Sequence, residues 1–426
     1  MDREGDETSK TCPECQAIMP IHSEFVTWCD QCNWNVRPLE LEPPKSFVES
    51  LYQRLGKRSG QVLFEKLTQK EALKPTLTAS KVMAFVVAGI IHSMTLIIAI
   101  GGVALLIGGW PNFFAIMGGL LLLAMAWTLR PRIPKLNEEI LSADKFPHLY
   151  QFVESVVNLL NAQSVYGIII DSQLNASVKR YGWRQQTVLR LGLPLWTILD
   201  VPERVALVAH ELAHGINGDT RRSVWVGTAI DTLGSWYQII VPPAIWRPDM
   251  GIMAIVMLPI NLVLYGIAQL VLAIAIFLIH LLWSDSQRAE YLADHLAANI
   301  SGSQAAIGLL EKMYLATSFE TTTRQVALRQ KYNELNFFEV LRHRFANVPE
   351  REFERIRRVQ LLEGSRLNVT HPPTVYRVKL LQMHTISAAL ESFEADSLAA
   401  IDEELAILEE EIHQKIVDQY RARIYR

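Results

Sequence analysis

Apolar and polar residues occupy separate blocks of this chain. Val82 to Ile107 and Phe113 to Leu129 contain no charged residue, and only residues 108–112 separate them. The first run is long enough to cross a hydrocarbon core of about 30 Å. The two runs together predict a transmembrane hairpin.

Two further apolar blocks follow. Gly251 to Trp283 is uncharged, and as a helix rising 1.5 Å per residue it would span about 50 Å and project beyond a bilayer. Ser223 to Trp246 is less pure because polar residues such as Asp231 interrupt it. The pattern predicts a mainly α integral-membrane protein with about four transmembrane helices, and it leaves open whether the third crosses fully.

The blocks between and after these runs have soluble character. In residues 130–222 the pattern predicts two helices, an amphipathic one over Phe146–Gln163 and another from Pro202 to Ile216. Between them it predicts strands over Tyr166–Asp171 and Thr187–Leu193, with a turn at Lys179–Gly182. Leu, Ile and Glu at helical spacing in residues 384–426 predict one long amphipathic helix or a short coiled coil. The basic clusters Arg351–Arg358 and Arg421–Arg426 are typical of solvated faces.

Composition and charge define the compartment. Half of the residues are hydrophobic and the net charge is −3, so bulk charge gives no sign of a nucleic-acid partner. The polar N-terminus does not resemble a cleavable secretory signal. Basic residues flank one end of each apolar pair: Lys74, Lys81, Arg130, Arg132, Lys135, Arg221, Arg222 and Arg288. The positive-inside rule then predicts a multi-pass cell-membrane protein with both termini and its soluble parts in the cytoplasm.

All four cysteines lie near the N-terminus, as the pairs Cys12/Cys15 and Cys29/Cys32. Two such C-x-x-C pairs can close a tetrahedral site around one zinc ion. The alternative is two disulfides, which need an oxidising compartment. Because nothing indicates export, we predict a zinc ribbon holding a structural zinc.

A catalytic metal is predicted from His210-Glu211-Leu-Ala-His214. On a helix, the two histidines of H-E-x-x-H share a face and can bind one zinc ion, while the glutamate reaches its water. A surface helix with incidental histidines is the alternative, but the surrounding residues are apolar and predict burial. Glu290 and Asp294 share a helix face four residues apart. Glu290 is the predicted third ligand, and Asp294 would accept a hydrogen bond from a ligating histidine.

Four motifs over roughly residues 80–380 resemble the integral-membrane zinc peptidases that include the CAAX prenyl proteases and the bacterial heat-shock protease HtpX. These are His210 to Asp219, Glu290-x-x-x-Asp294 after a long apolar segment, Asn175-Ala176, and Thr370-His-Pro-Pro-Thr-x-x-Arg377. The resemblance implies a gluzincin-like α+β domain. It also implies that Asn175 and His371 contact the substrate backbone or the oxyanion and that Arg377 is a structural partner near the site. The usual Asn-Ala-x-Ala-x-Gly spacing is altered here.

The resemblance implies a membrane-embedded zinc endopeptidase acting at the cytoplasmic membrane face, in membrane-protein quality control or processing. Its partners would be a protein or peptide substrate and the lipid bilayer. The expected cofactors are the catalytic Zn²⁺ that the resemblance implies and the structural Zn²⁺ predicted from the cysteine pairs. A signal-transducing protease that cleaves a regulator is the main alternative, although the predicted external turns are short. A non-catalytic scaffold is the other, and the intact ligands together with Glu211 argue against it.

The resulting division of the chain is as follows: zinc ribbon 1–40, linker and helix 41–80, transmembrane hairpin 81–130, catalytic part with the H-E-x-x-H helix 131–222, second transmembrane hairpin 223–284, catalytic part with the third ligand 285–382, and C-terminal amphipathic helix 383–426.

Overall fold

A computed structural model describes residues 9–22, 25–36, 60–69, 78–216, 219–245, 252–329, 336–363, 372–387 and 395–424. Most of these residues are helical. The strands are β1 Ser9–Thr11, β2 Ile18–Pro20, β3 Gly167–Asp171, β4 Ala176–Tyr181 and β5 Gln186–Gly192. Residues 60–68 form α1. The other helices are α2 Ala79–Gly108, α3 Phe113–Thr128, α4 Pro147–Leu160, α5 Leu193–Ile198, α6 Val201–Ile216, α7 Asp219–Ile240, α8 Ile252–Ser301, α9 Ser303–Met313, α10 Ala316–Arg329, α11 Phe337–Ala346, α12 Glu350–Glu363, α13 Thr374–Met383, α14 Ala395–Ala406 and α15 Glu409–Ile424.

Two described helices, α2 and α8, are long and apolar enough to cross a membrane. Only 17% of the most apolar stretch of each is buried in the protein, unlike the core helix of a soluble domain. Val86, Leu96 and Ile97 of α2, for example, are 55%, 60% and 65% exposed. This large apolar surface suggests association with a membrane. The helix α3 is apolar but shorter, and the predicted third span coincides with α7, so four complete spans remain a prediction.

The apolar helices pack together through small residues. Ala84 and Ala88 of α2, Ala229 of α7 and Ala275 of α8 belong to one buried cluster. The crossing of α2 and α3 is closer still. A Cβ atom built on Gly102 would lie 2.9 Å from Leu123 Cγ and 3.0 Å from the carbonyl oxygen of Gly119. Small residues of this kind let two helix backbones approach in lipid.

We expect Gly102→Ala to lower the melting temperature of the detergent-purified chain. The added methyl group overpacks the crossing at a cost of about 1–3 kcal/mol, which exceeds the roughly 1 kcal/mol gained in helix propensity. Gly89→Ala is the matched control, because a Cβ atom at Gly89 meets nothing within 4 Å on the same helix. Equal melting temperatures for the two variants would contradict this packing.

The catalytic part contains a three-stranded sheet of order β3-β5-β4. β3 runs parallel to β5, and β4 pairs antiparallel to β5 with Ala176 opposite Leu191. The predictions for α4, β3, β5 and α6 are confirmed. The turn predicted at Lys179–Gly182 is wrong, since β4 continues to Tyr181 and the chain turns at 182–185. Pairing with β5 extends a segment whose own sequence favours a turn.

The predicted single C-terminal helix over residues 383–426 is also wrong. Two helices, α14 and α15, fold back on the main core, where Leu398, Ile401 and Ile416 are buried. Asp402 accepts a hydrogen bond from Arg204 of α6 at 2.9 Å. Glu404 accepts one from the backbone N–H of His148 at the start of α4 at 2.8 Å. The C-terminal segment therefore packs on the same core as α4 and α6.

Residues 9–36, which contain the four cysteines of the predicted zinc ribbon and are called the ribbon below, dock on α12. Arg351 donates to the carbonyl oxygen of Trp28 at 2.5 Å, Arg358 to that of Asp30 at 2.6 Å, and Arg355 to that of Val36 at 2.9 Å. The guanidinium groups of Arg351 and Arg358 also lie over the Trp28 ring, 4.6 and 4.9 Å from its centroid. The interpretation of Arg351–Arg358 as a solvated face is therefore wrong, because these side chains bind carbonyl groups of the ribbon.

We expect the double variant Arg351→Ala/Arg358→Ala to raise amide hydrogen exchange in residues 9–36 by about tenfold or more, since it removes charge-assisted hydrogen bonds that contribute roughly 1.5 kcal/mol or more each. Arg357→Ala is the control on the same helix, because Arg357 pairs with Glu311 and Glu350 rather than with the ribbon. Unchanged exchange in the double variant would show that these contacts do not hold the ribbon.

Candidate metal centre

The helix α6, which carries both predicted histidine ligands, is fixed at its first turn. The Glu203 carboxylate accepts from the backbone N–H of Asp200 at 2.8 Å, as in a capping box. Lys312 of α9 donates to Glu203 at 2.6 Å and to Asp200 at 3.0 Å. Every residue of α6 from Glu203 to Ala213 is buried. The helix is therefore a rigid core element that can hold its side chains in place.

Three side chains converge at the last turn of α6. His210 Nε2 lies 3.5 Å from Glu290 Oε2, and His214 Nε2 lies 3.6 Å from Glu290 Oε1. The ligand atoms of all three residues lie within 4.8 Å of one another. Ligands about 2.1 Å from a tetrahedral zinc ion are roughly 3.4 Å apart, so this spacing fits one zinc ion. The side chain of His214 is 18% exposed and that of Glu290 5%, so the cluster is accessible from one side.

Asp294 and Arg377 contact the His210 and Glu290 side chains of this cluster. His210 Nδ1 lies 3.1 Å from Asp294 Oδ1, so the ring can donate to Asp294 while Nε2 faces Glu290. Arg377 donates to both oxygens of Asp294 at 2.6 Å. It also lies 3.3 Å from Glu290 Oε2. Asp294 and Arg377 thus lie beside the candidate ligands, as predicted. Arg377 also contacts Glu290, the predicted third ligand.

The electrostatics of the cluster favour a cation. Burial acts to lower the pKa of His210, but hydrogen bonds to Asp294 and Glu290 outweigh it and raise the pKa to about 10. Burial opposes the charge of Arg377 in the same way, and the two carboxylates raise its pKa above the usual value. The buried carboxylates of Glu290 and Asp294 place negative charge beside the His210 ring, and this charge suits a divalent metal ion bound by the neutral imidazole.

The other predicted site residues have different outcomes. Glu211 is 8% exposed and lies on α6 between the two histidines. Asn175 is exposed and directly precedes β4, and its carbonyl oxygen accepts from the N–H of Gly192 at 2.9 Å. Gly192 must be glycine there, because a Cβ atom would overlap the carbonyl oxygen of Gln173. His371 lies outside the described residues, so its placement stays a prediction.

The four cysteines form a second cluster. Their sulfur atoms lie within 4.8 Å of one another, with Cys12 and Cys32 3.6 Å apart and Cys15 and Cys29 3.4 Å apart. All four are free thiols. A disulfide bond is about 2.05 Å long, whereas sulfurs around one tetrahedral zinc ion are roughly 3.8 Å apart. The arrangement therefore fits a metal ion better than two disulfides.

A comparison with protein families shows which family contains this histidine–carboxylate cluster. The family model described as peptidase family M48 matches residues 145–385, more than half of the 426-residue chain. The chain belongs to peptidase family M48. It is accordingly a zinc metalloprotease. Neither a curated protein nor a solved structure matches it.

The matched region of this M48 peptidase contains the whole histidine–carboxylate cluster and Arg377. The ribbon and the helices α14 and α15 lie outside it. Sequence reasoning missed the docking of both segments. For the ribbon, part of the reason is that Arg351 and Arg358 donate to the backbone carbonyls of Trp28 and Asp30, which any residue provides.

Proposed function

We propose that this M48 peptidase is a membrane-embedded endopeptidase of the HtpX and CAAX-protease type. In this proposal His210, His214 and Glu290 hold the catalytic zinc, and the site faces the cytoplasm. The convergence of these three ligands on one point carries the proposal. The enzyme would cleave membrane proteins during quality control or processing, and a second zinc in the four-cysteine cluster would stabilise the ribbon.

The position of Glu290 supports membrane embedding. It lies on α8, which begins in the apolar segment and continues without interruption to the metal ligands. At 1.5 Å per residue this helix is about 75 Å long, more than twice the roughly 30 Å of a hydrocarbon core. Ligand and apolar segment thus share one rigid element, so the site would be fixed at a constant height above the bilayer.

The residues divide the chemistry between them. Bound zinc would supply the Lewis acid that activates water and polarises the scissile carbonyl. Glu211, which directly follows the proposed ligand His210 on α6, takes the proton of the attacking water and passes it to the leaving amine. Asp294 keeps the His210 ring oriented through Nδ1, and Arg377 holds Asp294 and Glu290 in place.

Substrate would bind along β4. This strand lies at one edge of the described sheet and contacts α6. An edge strand has backbone groups available to pair with an extended peptide. Asn175 lies exposed at its start, so its side chain can contact the substrate backbone. His371, which belongs to the same family motif as Arg377, would donate a hydrogen bond to the oxyanion.

The test uses one peptide in two forms, either free or fused to a transmembrane segment, with the full chain in proteoliposomes. We expect internal cleavage of both, faster for the membrane-tethered form, and loss of both after treatment with 1,10-phenanthroline. Mass spectrometry would locate the cleavage sites. Removal of only terminal residues, or cleavage that resists the chelator, would overturn the proposal.

A further inference from the structure

The tip of the β4–β5 hairpin carries the most exposed large apolar side chain of the described residues. Trp183 is 89% exposed. Exposing a whole indole ring to water is unfavourable, and tryptophan is enriched where one side of a protein meets the headgroup region of a bilayer. The Trp183 ring has no role in the proposed catalytic mechanism. Its exposure therefore needs another explanation.

The structure connects this tip to the end of an apolar helix. The backbone N–H of Gly182 donates to the carbonyl oxygen of Pro134 at 2.9 Å. Pro134 follows the end of α3 closely, and five extended residues from Leu129 span at most about 18 Å. The hairpin tip is thus held within that distance of the point where α3 ends.

The end of α3 has the features of a membrane interface. Trp127 is 67% exposed, and the guanidinium group of Arg130 lies 3.5 Å from its ring centroid while donating to its carbonyl oxygen at 2.9 Å. An aromatic ring beside a basic residue at a helix end is typical of the headgroup level. Arg132 and Lys135 continue this basic surface and are exposed.

The hairpin tip has the same composition. Arg184 directly follows Trp183, and Lys179 lies near the end of β4; both are exposed. Exposed basic side chains near a membrane are attracted to anionic headgroups. The exposed residues Trp183, Lys179 and Arg184 therefore resemble Trp127 and Arg130 in both aromatic and basic character.

We propose that the β4–β5 hairpin is a second membrane contact of this protein, with Trp183 inserted in the headgroup region next to α3. This inference rests on the proposed membrane embedding. It adds a role for the hairpin in substrate selection. β4, which contacts the helix α6 that carries His210 and His214, would end at a tip held at the lipid surface, so a peptide leaving the bilayer would meet the edge of β4 directly.

The experiment places the full chain in nanodiscs made with brominated lipids, which quench only tryptophans that touch lipid. The emission of Trp183 is obtained by subtracting the fluorescence of Trp183→Phe from that of the wild type. This substitution changes only an exposed ring. We expect this difference emission to fall about twofold relative to nanodiscs of unbrominated lipid. The difference between wild type and Trp196→Phe is the negative control, because Trp196 is 1% exposed in the catalytic core.

A parallel Trp127→Phe comparison separates the two proposals. Quenching of Trp127 without quenching of Trp183 would overturn the hairpin contact and leave membrane embedding standing. Such a result would favour a protein partner at the tip. Absence of quenching at both positions would overturn both proposals.

Discussion

Replacing Glu211 with glutamine is expected to reduce peptide hydrolysis about 10²–10⁴-fold, the usual contribution of a positioned general base. Glutamine keeps the shape of the side chain but cannot accept the proton of the attacking water. The proposed ligands His210, His214 and Glu290 are untouched, so zinc content should stay at the wild-type level. Initial rates on casein, measured in detergent together with zinc content, check this prediction.

Glu154→Gln provides the matched control. Glu154 is exposed on α4, so the same change of charge there should leave the rate unchanged. A Glu211→Gln enzyme that retained zinc and cleaved casein as fast as the wild type would exclude Glu211 as the base.

Replacing Arg377 with alanine is the second large effect that we expect. Arg377 is 5% exposed and pairs with Asp294 and Glu290, which are both 4% exposed. Its removal leaves two buried carboxylates without their partner, which typically costs about 3–5 kcal/mol of folding free energy. It also frees Asp294 to move away from His210, so we expect zinc affinity to fall about 10–100-fold. Thermal unfolding and competition with a zinc chelator would measure the two effects.

Two comparison variants make the Arg377 result specific. Arg377→Lys keeps the charge but loses the two-pronged contact with Asp294, so its zinc affinity should lie between those of the wild type and Arg377→Ala. Arg423 is exposed on α15, and Arg423→Ala should change neither quantity. Wild-type zinc affinity in Arg377→Ala would contradict the role assigned to this side chain.

The metal centre was predictable because its geometry is local. Residues four apart on a helix share a face, so the sequence alone aligned His210 with His214 and Glu290 with Asp294. The meeting of the two pairs was not written in either helix. Glu290 was predicted as the third ligand because Asp294, on the same helix face, can accept a hydrogen bond from a ligating histidine. The packing of α6 against α8 brings His210, His214 and Glu290 together, in agreement with that prediction.

The misassigned segments are those in which distant packing overrides local pattern. Residues 384–426 have the periodicity of one long helix, but the chain folds back and Asp402 and Glu404 bind Arg204 and His148, which are 198 and 256 residues away. The strand β4 is similar, since its pairing with β5 extends a segment rich in turn-forming residues. Such tertiary contacts leave no periodic signal.

The zinc content of the purified full chain tests the central claim most directly. With one ion held by His210, His214 and Glu290 and another by the cysteines, the wild type should contain about two zinc ions per chain. The double variant His210→Ala/His214→Ala should contain about one, and Glu211→Gln about two. A double-histidine variant with as much zinc as the wild type would contradict the account.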